Sequence, residues 1–179
     1  MTQRPARTEA AEYYFTYIDK VPSGDICEIL EQQAHEIAAF FAQVSEQHSL
    51  SRYAPGKWSI REVMNHVNDC ERLFVYRAFW FARGFDSPLP SFDQNVAAAA
   101  ANADARSWSS HIEEFHAVRL ATLAFFRSLP GDAWGRRGIA SGNPFTVRAL
   151  AWMCAGHVTH HAEIIRARYF VPAASVSRS

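Results

Sequence analysis

The sequence has no hydrophobic run long enough to cross a membrane, since no segment approaches the roughly 18 apolar residues that a spanning helix needs. Its N-terminus, Met1 to Arg7, lacks the apolar core of a secretory signal peptide. Cysteine is scarce, and the three present, Cys27, Cys70 and Cys154, are an odd number without the spacing of a disulfide framework. These absences predict a cytoplasmic protein with reduced thiols and no membrane partner.

The chain also lacks an excess of either charge, because 18 acidic residues balance 18 basic residues. Nucleic-acid binding usually needs concentrated positive charge, so this balance argues against DNA or RNA as a partner. The sequence contains no glycine-rich nucleotide fingerprint, no phosphate-binding loop and no Ser-His-Asp arrangement. It does have 179 residues, 49% of them hydrophobic, which is enough for one domain with a full core.

Helical spacing of the apolar residues predicts an all-α protein, a four-helix bundle. The four helices are expected over about residues 25–47, 59–83, 107–128 and 145–169. Ser59 followed by Glu62 is a capping box, which fixes the start of the second helix. Within the chain, we expect a mobile segment over 1–12, the bundle domain over 13–170 and a tail over 171–179.

Two long segments between helices do not fit the bundle pattern. Residues 85–106 form a long connection between the second and third helices, with a short helix expected in the alanine-rich run 96–101. A connection of this length usually carries function, so we expect it near the functional site. Residues 131–144 are rich in glycine and polar residues and are predicted to be a loop.

Two histidines interrupt the apolar stripe of the fourth helix. His157 and His161 occupy positions where a core helix usually carries Leu or Ile. Side chains four residues apart on a helix are neighbours, with Cβ atoms about 5–6 Å apart, so both imidazoles can bind one metal ion. Zinc proteases with this spacing carry Glu directly after the first histidine, whereas this chain has Val158, which disfavours a zincin protease.

A third histidine, His66, lies at the edge of the apolar stripe of the second helix. Three histidines from two helices would leave one coordination position open, which is typical of a catalytic rather than a structural metal site. The alternative for each histidine is a core residue satisfied by a hydrogen bond. Imidazole suits several divalent metals, of which we favour zinc or nickel.

Three stretches, in this order, carry a family resemblance. They are Tyr53 to His66 continued by Asp69 to Arg72, then Pro88 to Gln94, and then Ala155 to His161. In this combination the chain resembles the DinB-like superfamily over about residues 13–170. The resemblance implies a four-helix bundle that binds a divalent metal through the three histidines matched by motif, namely His66, His157 and His161. The family includes bacillithiol and mycothiol transferases.

Three other side chains have two interpretations each. Asp93, in the connection, is a candidate acceptor for a ligand histidine's N–H or a general base, but it could equally cap a turn. Cys70, one turn after His66, is either an additional metal ligand or a small core residue, and the core interpretation is favoured. Arg119, on the third helix, either binds an anionic substrate or pairs with Glu71.

Two functions are compatible with these features. The first is a metal-dependent transferase in which a low-molecular-weight thiol occupies the open metal position, with metal-dependent hydrolysis as a variant. The second is a non-enzymatic, metal- or ligand-binding stress-response bundle, which the lack of a clear general base favours. A cavity that connects the open position to solvent would favour the transferase, and a sealed site would favour the second function.

The run Phe79, Trp80 and Phe81 bears on the oligomeric state. On one helix three successive residues span about 200°, so at least one of these rings must face away from the core. An exposed aromatic often marks an interface, which predicts a homodimer. The alternative is that the aromatic segment Tyr13 to Ile18 covers this surface.

Overall fold

The computed structural model describes residues 3–170. Its α-helices are α1 (Phe15–Ile18), α2 (Ile26–Phe41), α3 (Ile60–Ala82), α4 (Gln94–Ala101), α5 (Trp108–Arg127) and α6 (Val147–Tyr169). Short 3₁₀ helices cover Arg7–Glu9, Glu12–Tyr14, His48–Leu50, Ala103–Ala105 and Gly131–Gly135. The four predicted bundle helices correspond to α2, α3, α5 and α6, so the mostly helical four-helix bundle is confirmed.

Side-chain caps fix the starts of the bundle helices. The Ser59 hydroxyl accepts a hydrogen bond from the Glu62 backbone N–H, and the Glu62 carboxylate accepts one from the Ser59 N–H, which confirms the capping box. Thr146 caps α6 in the same way, by accepting from the Ala149 N–H. The predicted end of the first helix near residue 47 is wrong, because the chain leaves α2 at Phe41 through tight turns.

The core consists of two apolar clusters along the bundle. One is built around Leu30, Phe126 and Trp152, and the other around Met64 and Phe115. The two clusters meet near the middle of both helices. The boundary lies between residues 67 and 70 on α3 and between residues 155 and 158 on α6. The α3 helix packs against both α5 and α6, so it connects both clusters to the rest of the bundle.

The prediction of a loop over residues 131–144 is wrong in its second half. Strands β1 (Arg137–Ala140) and β2 (Asn143–Thr146) form an antiparallel hairpin, with Ala140 opposite Asn143. Its turn consists of Ser141 and Gly142, which have φ values of 51° and 72°. Two successive positive φ values are what a tight type I′ hairpin turn requires. The hairpin packs on the end of α3, where Gly138 lies against the Phe81 ring.

The connection over residues 85–106 contains α4, whose first turn is capped by Asp93. This helix packs on α3 and begins at Gln94, two residues before the alanine-rich run expected to be helical. The N-terminal segment predicted to be mobile contains Glu9, whose buried carboxylate accepts hydrogen bonds from Thr146 and Arg148. The predicted tail over 171–179 lies outside the described residues.

None of the helices within residues 3–170 combines the length and the apolar content of a membrane-spanning segment.

Candidate metal centre

The bundle brings the three predicted histidines together in its interior. His66 comes from α3, and His157 and His161 come from successive turns of α6. Each of the three offers a ring nitrogen, and these three atoms all lie within 4.8 Å of one another. His66 and His157 are buried, while His161 is half-buried. Helical spacing and motif therefore predict which side chains converge, although they do not give the distances between them.

The geometry of these three side chains, here called the triad, suits one small cation. The Nε2 atoms of His157 and His161 are 3.1 Å apart. Tetrahedral zinc with metal–nitrogen bonds of about 2.0–2.1 Å would hold neighbouring nitrogens about 3.3 Å apart, so only a small adjustment is needed. The His66 ring lies 5.0 Å from each of the other two rings, measured between centroids. Three neutral nitrogen donors of this kind fit zinc, nickel and related divalent metals.

Burial keeps the triad uncharged at neutral pH. It lowers the pKa of His66 from 6.5 to about 4, and the charge of the nearby His160 contributes in the same direction. Burial, followed by repulsion from His66 and His160, lowers the pKa of His161 to about 3. Burial also lowers the pKa of His157 well below its usual value. Since a metal binds the neutral imidazole, these side chains need not lose protons to act as ligands.

A cavity of about 490 Å³ reaches two of the three histidines, and we call it the Arg77 cavity. Its walls include His66, His157, Arg77 and the aromatic rings of Tyr17 and Phe74, and its rim is formed by the exposed Tyr13, Ser91 and Gln94. Because the rim is exposed, the cavity connects the triad to solvent. A volume of this size lies within the usual range for small-molecule sites.

A second cavity of about 320 Å³ reaches the third histidine, His161, and we call it the Trp58 cavity. Tyr53, Trp58 and Tyr169 line it together with Gln94. Gln94 therefore contributes to both cavities from the first turn of α4. The long connection thus lies over the triad, as expected from its length.

The two cysteines nearest to the triad are both buried. The Cys70 sulfur lies 3.6 Å from His66 Nδ1 and lines the Arg77 cavity, but it does not belong to the group of ring nitrogens within 4.8 Å. Burial, with a contribution from Asp69, raises the pKa of the Cys70 thiol to about 12. Cys154 is fully buried, and burial raises its thiol pKa as well. Both thiols are therefore protonated and weakly nucleophilic at neutral pH.

Asp93 caps the first turn of α4, which is one of the two roles considered for it. Its Oδ1 atom accepts from the backbone N–H groups of Asn95 and Val96. Among the hydrogen bonds of residues 3–170, none joins Asp93 to a histidine of the triad. Its side chain is exposed and lines the Arg77 cavity, which places a carboxylate at the rim of the site.

Arg119 pairs with Glu71, which is the structural one of the two roles considered for it. Its guanidinium donates from Nε and Nη2 to the two oxygens of Glu71, both at 2.8 Å, and the pair is fully buried. Arg119 also donates to Gln33, which in turn donates to the Ala155 carbonyl on α6. This network fixes α6 at Ala155, two residues before His157. The arginine that reaches the cavity is instead Arg77, which sequence reasoning did not single out.

The spacing of Arg77 from His66 and Cys70 in the sequence could have indicated its position. It follows His66 by eleven residues and Cys70 by seven, spacings that return to the same face of an α-helix. A charged side chain on an otherwise apolar stripe must be paired, solvated or used by a ligand. Tyr17 and Gln94, in contrast, reach the site from outside the bundle helices, and no periodicity marks them.

Comparison with known proteins gives one family match. Residues 29–165 match the profile of the DinB superfamily. This matched range includes all three histidines of the triad. Among curated proteins, no sequence match is found.

Solved structures resemble the fold at low sequence identity. YfiT from Bacillus subtilis, described as a probable metal-dependent hydrolase with an unusual four-helix bundle topology, matches with a TM-score of 0.65 and 16% identity over 91% of both chains. A mycothiol-dependent maleylpyruvate isomerase matches with a TM-score of 0.63 and 15% identity. The match covers 77% of this chain and 58% of the isomerase, so this chain corresponds to only part of that enzyme.

Proposed function

We propose that this chain, which belongs to the DinB superfamily, binds a divalent metal through His66, His157 and His161 and transfers a low-molecular-weight thiol to an electrophile. The observation that carries the proposal is the position of the triad at the wall of a solvent-connected cavity. A bound divalent metal would supply positive charge that lowers the pKa of an incoming thiol. The similarity to a mycothiol-dependent isomerase supports a thiol as the cosubstrate.

The protein's own side chains prepare the site for this chemistry. Burial keeps the three imidazoles neutral, so that they can act as ligands without neutralising the charge of the metal. The rings of Trp58, Phe74 and Tyr17 lie within 5.6 Å of a triad imidazole and limit the access of water. A drier site strengthens electrostatic interactions within it.

Neither buried cysteine is suited to be the nucleophile. The raised pKa of Cys70 leaves it protonated, and Cys154 lines neither of the two cavities. The nucleophilic sulfur is therefore proposed to come from the added thiol. The exposed carboxylate of Asp93, at the rim of the Arg77 cavity, is our candidate for a general base.

Hydrolysis is the second candidate function, and one comparison favours it. YfiT, with the same fold, is described as a probable metal-dependent hydrolase. Metal-activated water would need the same triad and the same open cavity. The solvent-connected cavity argues against a purely structural metal in a non-enzymatic bundle, because a structural site is normally closed.

A thiol panel tests the proposal. Bacillithiol, mycothiol, glutathione and cysteine are each incubated with neutral 1-chloro-2,4-dinitrobenzene and with acidic 4-chloro-3-nitrobenzoate, from both of which the thiol sulfur displaces chloride. Metal-loaded wild type, Cys70→Ser, Cys154→Ser and His161→Ala are compared. We expect metal-dependent loss of at least one thiol in the wild type and in both cysteine variants, and none in His161→Ala. If no thiol is consumed, the transferase proposal fails. If Cys70→Ser loses activity but keeps its metal, the protein's own thiol is the nucleophile.

A further inference from the structure

Three arginines are buried among residues 3–170, and they differ in how their charge is balanced. Arg119 is paired with Glu71, and Arg61 donates to the carboxylate of Glu46. Arg77 is only 3% exposed, yet no carboxylate of the described residues lies within ion-pair distance of it. A buried charge without a counter-ion is costly, so the third arginine requires an explanation that the fold does not supply.

The hydrogen bonds of Arg77 leave part of its guanidinium unused. Nη2 donates to the Ser141 hydroxyl at 2.7 Å and to the Pro90 carbonyl at 3.2 Å. Nε is buried and has no acceptor. Burial lowers the pKa of Arg77 somewhat, although a guanidinium remains charged at any physiological pH. The side chain therefore presents a full positive charge and an unsatisfied donor inside the protein.

The hairpin turn holds Arg77 in this position. Ser141, which accepts from Nη2, has a left-handed backbone with φ of 51°, a conformation that is uncommon for a residue other than glycine. Its backbone N–H donates to the Leu89 carbonyl, which ties the turn to the connection. Both neutral partners orient the guanidinium without neutralising it. This arrangement resembles a prepared anion site more than a structural ion pair.

The unpaired guanidinium shares its cavity with the triad. Arg77, His66 and His157 all line the Arg77 cavity, and Arg77 and His66 lie on the same face of α3. Eleven residues of helix separate their backbones by about 16 Å, with Cys70 and Phe74 lining the wall between them. A ligand that fills this space would have one end at the triad and the other at Arg77.

We infer that Arg77 binds a carboxylate of the electrophilic substrate and thereby makes the enzyme specific for acidic electrophiles. The inference rests on the proposed function, since it concerns the substrate that receives the thiol. A carboxylate matches the planar guanidinium and would supply the missing counter-ion. The aromatic rings of Tyr14, Tyr17 and Phe74 in the same walls suit a planar or aromatic acid.

Paired neutral and anionic probes test the inference by binding alone. Isothermal titration calorimetry compares benzoate with benzamide, which has nearly the same shape without the charge, on the metal-loaded full chain. We expect wild type to bind benzoate about tenfold or more tightly than benzamide, as for a charged hydrogen-bonded pair. Arg77→Met should abolish this preference while retaining benzamide binding, and Arg77→Lys should restore part of it.

Two control variants separate Arg77 from other positive charges. Arg83→Met makes the same substitution at an exposed arginine just after α3 and should keep the preference for benzoate. His161→Ala should lose the metal and still keep the preference, because His161 does not line the Arg77 cavity. Loss of the preference in His161→Ala, or its retention in Arg77→Met, would overturn the inference, since the metal or another group would then recognise the charge.

Two further readouts keep the test decisive. Circular dichroism shows whether Arg77→Met folds. If it does not, nuclear magnetic resonance of the wild type replaces it: the Nε–H resonance of Arg77, assigned by its absence in Arg77→Lys, should shift on addition of benzoate. An unchanged resonance would also overturn the inference. Failure of the proposed function looks different, because thiol consumption would then be absent with the acidic as well as the neutral electrophile, while the benzoate preference stays intact.

Discussion

At the scale of single residues, the site depends on three imidazoles where a bundle of this kind would otherwise bury aliphatic side chains. His66 and His157 are about 5% and 4% exposed, and the Nε2 atom of His157 is next to that of His161. An imidazole in an apolar core needs a partner for its ring nitrogens. A shared metal would satisfy all three at once.

The first prediction concerns the metal content of histidine variants. His157→Ala should lose most of the bound metal, because His157 is the buried member of the adjacent pair on α6. His160→Ala is the matched control, since His160 lies beside His161 on α6 but is not a member of the triad. Inductively coupled plasma mass spectrometry of protein purified without a metal-affinity tag gives metal per chain. Full retention of metal in His157→Ala would rule out the assigned ligand set.

The second prediction concerns the stability of the metal-free protein at acidic pH. Unfolded histidines take up protons near pH 6.5, whereas folded His66 does so near 4 and folded His161 near 3. Between about pH 6.5 and 4 the unfolded state therefore binds more protons, and the free energy of unfolding falls as pH falls. Each group contributes at most about 1.4 kcal/mol per pH unit in this window.

Urea unfolding of chelator-treated protein between pH 7 and pH 4.5 measures this loss. In His161→Ala the same pH change should cost less, because one buried imidazole has been removed. A free energy of unfolding that stays constant over this range would show that burial does not hold the triad neutral. Metal-loaded protein should keep its metal over this range and release it only below about pH 4, where the folded ligands take up protons.

At the scale of elements, the short helix α1 covers one side of the site by an unusually close approach to α6. A Cβ atom added at Gly156 would lie 2.1 Å from the Tyr17 carbonyl oxygen. Tyr17 in turn contacts the His157 ring and lines the Arg77 cavity. Gly156 therefore permits the N-terminal segment to form a wall of the cavity.

The third prediction follows from this contact. Gly156→Ala should destabilise the protein by about 1–3 kcal/mol, as for other overpacked sites, reduced by up to about 1 kcal/mol of gained helix propensity. Gly131→Ala is the control, since no heavy atom lies within 4 Å of its added Cβ. Urea unfolding compares the two variants with wild type. Equal stability of Gly156→Ala and Gly131→Ala would contradict the close packing of α1 on α6.

The elements also show how far the sequence could predict the structure. Caps and apolar stripes are local signals, so the Ser59 box and the four bundle helices could be predicted. The hairpin could not be predicted with the same rules, because strands of four residues are too short to show alternation and contain Gly138 and Pro144. The dipeptide Ser141-Gly142 was its one local signal.

The role of Arg77 shows a different limit of sequence analysis. Its place on the buried face of α3 follows from helical spacing, but its lack of a carboxylate depends on which partners the fold brings near. The carboxylate partners of the other two buried arginines, Arg119 and Arg61, lie 48 and 15 positions away in the chain. No local pattern shows which arginine is left unpaired.

At the scale of the whole molecule, the outer face of α3 leaves aromatic side chains exposed. Phe79 is 39% and Tyr76 is 48% exposed, whereas Phe81 is buried in the core. The segment Tyr13 to Ile18 does not cover them, because α1 packs against α6 instead. Tyr76 also lines a largely apolar surface groove with Ala117 and Ala121 of α5. We propose that this face of α3 and α5 forms a homodimer interface.

The fourth prediction is therefore a mass in solution of twice the chain mass of 20.2 kDa. Multi-angle light scattering at micromolar concentration should detect the dimer, and Phe79→Glu should dissociate it, because the substitution places a charge in an apolar interface. Val96→Glu, at an exposed site on α4, should leave the dimer intact. A wild-type mass of 20.2 kDa would refute the interface.

The ligand set of the metal is the central claim, and X-ray absorption spectroscopy of the metal-loaded protein tests it most directly. Without added thiol, we predict three imidazole nitrogens at about 2.0–2.1 Å for zinc, with no sulfur among the protein ligands. The arrangement of His66, His157 and His161, with Cys70 outside the group, leads to this expectation. A sulfur shell near about 2.3 Å without added thiol, or fewer than three imidazoles, would contradict it.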